Sequence, residues 1–274
     1  MNHKDVANAG SALGEAIGVA MGKSLEQKLI EIADSHGCHY LTSGLRKTKG
    51  GTVVKKLLMS DNYGNEYDID GVIANESMQP LIIFESKYIR YKKHNRDKGS
   101  WICTAHSAVR RRYHSIRSSI AVLAGSWSKS SIAMMHSHDI NFFLIPFDYI
   151  CQLLAEVGID FNWGEKEKEK SFVAWNKYNL LSEEQKNHIG NKMVEVIQSN
   201  LVTIIQKILD DTVPREIAKV VIELRSNLGE VKVFEFDSLE KAMIFLDRED
   251  LDSVFITGDS ATLFDPPPKF DEDE

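Results

Sequence analysis

LIIFESKYI, residues 81–89, is an apolar run broken late by a carboxylate and an ammonium. Nearly continuous apolar character over so few residues suits a central strand buried on both faces. In a strand, residues two apart share a face. Glu85 and Lys87 therefore stand with Ile83 on one side, and Phe84, Ser86 and Tyr88 on the other. Either charge alone is costly to bury, so each needs the other, a cation or water.

The stretch before it, YDIDGVIA (67–74), has strand character, with 75–80 as the turn between the two. Asp70 and Glu85 are then equally far from that turn and become cross-strand neighbours. Two adjacent carboxylates repel unless a cation lies between them. Oxygen ligands with an open coordination sphere suit Mg²⁺. Asp68 lies on the same strand face as Asp70 and is its rival.

Working outward, Ser24–His36 is expected to be a helix capped by Ser24 and stopped by Gly37, and it carries Glu26 one position off its apolar stripe. Before it, Gly10, Gly14, Gly18 and Gly22 repeat every fourth position. That pattern makes either a loosely helical lead-in or a smooth packing or dimer surface. Residues 52–59 are expected as a strand, 102–125 as a helix, 131–135 and 141–146 as strands and 147–157 as a helix. Residues 164–171 (GEKEKEKS) are expected as a charged linker, and 183–209 as a long amphipathic helix. A hairpin over 217–224 and 230–236 and a helix opened by an Asp237–Glu240 capping box complete a small C-terminal unit. The expected organisation is a lead-in (1–23), a core (24–163), a helical and hairpin region (164–264) and an acidic tail (265–274). The fold class is mixed α/β: a central mixed sheet flanked by helices, with a small C-terminal α/β unit.

The chain has 274 residues and a net charge of −7. The charge is unevenly spread. From Lys87 to Arg117 there are ten basic residues (Lys87, Arg90, Lys92, Lys93, Arg96, Lys98, Arg110, Arg111, Arg112, Arg117) against Asp97. A polyanion responds to such a local field rather than to the total. Tyr88, Tyr91, Trp101 and Tyr113 interleave with these charges and offer stacking groups. No apolar run is long enough to span a membrane. Asp5 and Glu15 argue against a signal peptide. Cys38, Cys103 and Cys151 form no CxxC pair and fit a reducing cytoplasm. His136 and His138 are spaced as a zinc pair but lack further ligands, apart from Asp139, at ligand spacing.

The order Glu26, Asp70, then Glu85-Ser86-Lys87 resembles the PD-(D/E)xK nuclease superfamily, which includes most type II restriction endonucleases. The resemblance covers residues 24 to about 157. It implies a restriction-endonuclease-like core, Mg²⁺ as cofactor, Asp70 and Glu85 as metal ligands, Lys87 as catalytic lysine and Glu26 as accessory acid. Ile69 stands where the motif's name has proline. The implied activity is endonucleolytic hydrolysis of double-stranded DNA leaving a 5′-phosphate, often by a homodimer. Arg90, Lys92, Lys93, Arg96, Arg110, Arg111, Arg112 and Arg117 are the expected DNA contacts. The competing readings are a structure-specific repair or recombination nuclease of the same fold, a DNA-binding module without catalysis, and a structural or interaction protein.

Overall fold

The structure, a computed structural model, describes residues 8–42, 57–92, 95–164, 166–248, 250–256 and 261–266. It divides into two units, residues 1–209 and 210–274. The first is built on a five-stranded mixed sheet of order β1 (His39–Leu41), β4 (Gly71–Ala74), β5 (Pro80–Ile89), β6 (Ser118–Gly125) and β7 (Ile140–Pro146). β1, β4 and β5 run antiparallel, whereas β5, β6 and β7 run parallel. The expected mixed sheet flanked by helices is present.

α1 spans Ala9–Ser35, so the glycine segment and the Glu26 segment form one continuous helix. Its start is capped by Asn8, whose side chain accepts a hydrogen bond from the Ser11 amide, and not by Ser24. Gly37, at φ +65°, ends it, and the Cys38 amide reaches back to the Ala33 carbonyl. Leu13, Ile17, Met21, Leu25 and Leu29 recur on one face and are buried. The glycine ridge is a packing surface within the chain: Gly10 abuts Trp163, and Gly14 and Gly18 abut Tyr88. It is not available there as a dimer face.

Several expected elements change type. Residues 118–125 are β6, not the end of a helix, and all eight are buried. A short apolar run covered on both faces carries no period that separates strand from helix. α2 instead occupies Asn95–Arg112. The expected strand at 131–135 lies inside α3 (Lys129–His136), capped by Ser128. YDIDGVIA is split: β3 (Glu66–Asp68) pairs with β2 (Leu58–Ser60) in a separate ribbon, and β4 starts at Gly71. Of the expected strand 52–59, residues 52–56 lie outside the described residues.

α4 (Phe147–Glu156) and α6 (Glu183–Leu209) match their expected spans. α5 (Lys168–Leu180) begins within the stretch expected as a linker (164–171) and continues through residues for which no element was expected. Both α5 and α6 contribute to the same core as α1, through Ala174, Tyr178, Met193, Leu201 and Ile205. The first unit therefore extends to Leu209 instead of stopping at 163. One face of the sheet (Ile82, Phe84, Val122, Ile145) packs on α1, α4, α5 and α6. The other (Val72, Ile83, Ala121, Leu123) packs on α2 and α3. In the second unit, β8 (Val220–Arg225) and β9 (Val231–Phe236) form the expected hairpin. α7 (Leu239–Leu246) is capped by Ser238, while Asp237 pairs with Lys241. Phe234 and Phe236 pack against Phe245. Among the described residues, no helix is long and apolar enough to cross a membrane.

α1 and α6 approach closely at Gly190, where a Cβ would strike the Ala20 carbonyl and the Ser24 hydroxyl. Gly22, also helical, has open space around its missing Cβ. The same substitution therefore has opposite signs at the two sites. Gly190→Ala should destabilise by about 1–3 kcal/mol through forced helix separation, whereas Gly22→Ala should stabilise by up to about 1 kcal/mol from helix propensity. Thermal melts of the two variants check this.

Candidate functional site

β5 is the element that places the charged side chains. Its first half is buried among apolar neighbours on both faces, and its polar residues begin at Glu85. Gly71 pairs with Phe84, so the residue before Gly71, Asp70, lies beside Glu85. Asp70 sits at a bend where the chain leaves the β2–β3 ribbon and enters the central sheet. Gly71 is required there because the Tyr40 hydroxyl fills the space of a side chain. Asp68 belongs to the ribbon, paired with Leu58, so Asp70 is the acid brought to Glu85.

The three side chains converge. The Lys87 ammonium Nζ lies 2.5 Å from Glu85 Oε1 and 3.1 Å from Asp70 Oδ2. The Ser86 amide donates to Asp70 Oδ2 at 2.9 Å. The Glu85 side chain is 0% exposed, and neither of its oxygens has a hydrogen bond. The contact with Lys87 is a close, buried ion pair. On α2, His106 Nε2 lies 3.8 Å from Glu85 Oε2, and both ring nitrogens are buried without a hydrogen-bond partner.

Electrostatics follow from this crowding. Burial, and then the Glu85 charge, push the Asp70 carboxyl above its usual range, against the pull of Lys87 and the Ser86 amide. Burial lowers the Lys87 ammonium, but Glu85 and Asp70 more than offset it, and the net shift is upward. One monovalent cation already stands between two carboxylates. Two carboxylates are an oxygen donor set of the kind a hard divalent ion takes; Asp70 lines a solvent-reached cleft, whereas Glu85 is fully buried and is not part of the cleft wall. Among the described residues there is no group of three or more His, Cys, Asp or Glu side chains able to hold a metal.

Glu26 stands apart from that pair. It accepts from the Thr42 hydroxyl at 3.2 Å. It shares with Tyr40, Asp70 and Ser86 the wall of a cleft of about 1150 Å³ that runs along α1. Burial, and then the charges of Glu26 and Asp70, raise the Tyr40 phenol well above its usual value. Glu85 and Lys87 face α2 on the other side of the sheet, and Asp70 is the acid that both regions touch.

The basic stripe divides. Lys92, Arg96 and Lys98 are exposed near the start of α2, and Arg111 and Arg112 near its end. A helix rises 1.5 Å per residue, so these groups are about 20 Å apart. Arg110 is half-buried. Arg112 donates to the Asp61 carbonyl and Arg117 to the Ile208 carbonyl, so both tie elements together. Arg90 is not in the stripe at all: it is 9% exposed and surrounded by aromatic rings. Lys93 lies outside the described residues.

Sequence reasoning missed Tyr40 and the position of His106. Ile102, Ala105 and Val109 mark the buried face of α2, and His106 falls within it, which was the available signal. For Tyr40 there was none, because its role depends on a glycine in another strand.

No protein-family profile matches the chain, and no curated protein does. Among solved structures, it is similar to a crystal structure of a protein of unknown function at 12% identity and a TM-score of 0.31, covering 68% of this chain and 99% of that one. A likeness at that level carries no argument.

The raised Asp70 carboxyl has a consequence for stability. A group whose folded pKa exceeds its unfolded value of 3.8 stabilises fully below that value. The contribution is lost as pH rises through the folded pKa, so ionised Asp70 disfavours the metal-free fold. Asp70→Asn, which retains an acceptor for the Ser86 amide, should melt at or above the unchanged protein in EDTA at neutral pH, with the advantage vanishing below about pH 4. Melting curves across pH check this.

Proposed function

We propose that the chain is a Mg²⁺-dependent endonuclease that hydrolyses phosphodiester bonds in DNA. The observation that carries this reading is the convergence of Asp70, Glu85 and Lys87, with Glu85 fully buried and paired to the Lys87 ammonium. A solvated ion pair at a strand end would leave the carboxylate in water. Here it is held out of water beside a second carboxylate, an arrangement that disfavours itself without a cation. The order of these residues and of Glu26 supports the likeness to PD-(D/E)xK nucleases.

Asp70 and Glu85 would hold the ion. When bound, Mg²⁺ supplies Lewis acidity, polarising a phosphodiester oxygen and lowering the pKa of water. The chain's own contribution is then charge placement. With an ion held by Asp70 and Glu85, Lys87 would be freed from its double ion pair. Its ammonium can then face the substrate, orient the attacking water and oppose the negative charge that grows on the phosphate oxygens. Glu26, on the cleft side of Asp70, is placed to accept a proton or hold a water at the edge of the site. A dimer acting on palindromic double-stranded DNA, as in restriction enzymes, would have to form away from the glycine face of α1, where Tyr88 and Trp163 already pack.

Digestion of supercoiled plasmid with Mg²⁺, with and without EDTA, tests the reading. Cutting should require Mg²⁺ and leave 5′-phosphates. Lys87→Ala and Glu85→Gln should each slow cutting by about 100-fold or more, while DNA binding in Ca²⁺ persists for Lys87→Ala. Binding without any cutting by the unchanged protein would replace the enzyme with a binding module.

A further inference from the structure

Arg90 follows directly on β5 and carries the least expected charge in the molecule. Its side chain is buried, and one nitrogen donates to the Phe161 and Trp163 carbonyls at 2.7 and 2.8 Å. The guanidinium carbon lies 3.5 Å from the centre of the Trp163 ring and 4.1 Å from that of Phe161, with Phe147 and Tyr91 further out. Rings and carbonyls fix its position and partly offset its charge. They do not complete its hydrogen bonding. Nε and the second terminal nitrogen are buried with no partner in full hydrogen-bond geometry, and the buried Tyr88 hydroxyl beside the guanidinium is the polar group within its influence. No carboxylate pairs with it among the described residues.

A buried cation with unmet donors is expensive unless a ligand completes it. Arg90 lines the cleft that Asp70 also lines. Two more cations line the same cleft, Lys98 from α2 and Lys168 from α5, both exposed and without an ion pair among the described residues. Three cations thus meet one concavity, whose wall also carries the carboxylates Glu15, Glu26 and Asp70. A guanidinium whose free N–H groups point from a fixed plane matches a phosphate or carboxylate fork. Arg90 lies three residues past Lys87, roughly 10 Å along an extended chain, within reach of the next nucleotide or two of a strand held at Asp70.

We propose that Arg90, Lys98 and Lys168 form a phosphate-binding pocket in this cleft, which takes a backbone phosphate of the DNA strand flanking the one that is cut. The anion site stands on the cleft itself. Its assignment to a DNA strand rests on the nuclease reading. The shared chemistry is a phosphate monoester or diester.

The test uses the full chain in EDTA, where cutting is blocked. The probes are a fluorescent DNA duplex, thymidine 5′-monophosphate and inorganic phosphate. Affinity for the duplex is measured across a salt series. Replacing both lysines (Lys98→Ala with Lys168→Ala) should weaken duplex binding about ten-fold at 100 mM salt and flatten the salt slope by between about 1 and 2. Arg90→Lys keeps the charge but loses the fork, and should weaken binding by a similar factor with an unchanged circular dichroism spectrum. Should Arg90→Lys fail to fold, the exposed lysines alone carry the test. Inorganic phosphate should compete with duplex on the unchanged chain and less on the folded Arg90→Lys variant. Folded variants that bind duplex like the unchanged chain overturn the pocket, even if plasmid is cut in Mg²⁺. Binding that depends on these residues without cutting in Mg²⁺ overturns the nuclease reading and leaves the pocket. Monophosphate held as tightly as duplex overturns the strand assignment.

Discussion

A carboxylate with no access to water governs the architecture around it. Glu85 projects from the middle of the sheet toward α2, and its exposure is nil. Removing such a group from water costs on the order of several kcal/mol after relaxation. The surroundings answer with one positive charge, Lys87 two residues on, on the same face, while His106 Nε2 lies 3.8 Å from the other carboxylate oxygen. They also bring a second carboxylate, Asp70, which works against Glu85. A fold selected only for stability would place an apolar side chain at position 85, as at position 83, where Ile83 is fully buried on that face. The Lys87 ammonium, in contact with both carboxylates, is the charge that holds the two acids together here.

β5 can carry that cluster because its two faces are anchored differently. Phe84 and the apolar residues before it fix the strand against α1 and the helices behind it. Glu85 is flanked on the opposite face by Ile83 and Ile89, which fasten the strand to α2. The parallel neighbour β6 is buried along its whole length and holds β5 in register through Ile89. The strand is therefore rigid at the point where the charges emerge, which is what a site needs if its groups are to keep their separation under mutual repulsion.

What the sequence revealed and what it hid both follow from period and range. Elements with a long period, such as α6, or with strong alternation into charge, such as β5, were legible because the signal lies within the element. β6, α3 and α5 were not. β6 has an apolar side chain on both faces, so strand and helix look alike. α3 and α5 are short or charged, and their helical state is set by a serine cap and by neighbours in the core. The pairing of Asp70 with Glu85 was legible from turn symmetry, and it outlived the wrong assumption that residues 67–74 form one strand. A bulge between Ile73 and Ala74 and a change of sheet at Asp70 leave the register near Gly71 intact. The division of the basic stripe was not legible, because charge in sequence carries no information about which face or which end of a helix it occupies.

Arg90 shows the same limit from the other side. In sequence it is one more basic residue after β5. In space it belongs with Trp163, Phe161 and the glycine face of α1. The glycines explain how a cleft exists there at all. Side chains at positions 14 and 18 would meet Tyr88, and at position 10 would meet Trp163. Removing them lets α1 lie close to the rings that hold Arg90 while leaving open space beyond Gly22, nearer Glu26. A helix pays for such a face in propensity, and α1 recovers it by burying Leu13, Ile17, Met21, Leu25 and Leu29 on the adjoining face. The concavity beside Asp70 is thus built into the backbone of α1, and does not depend on a loop that happens to stand open.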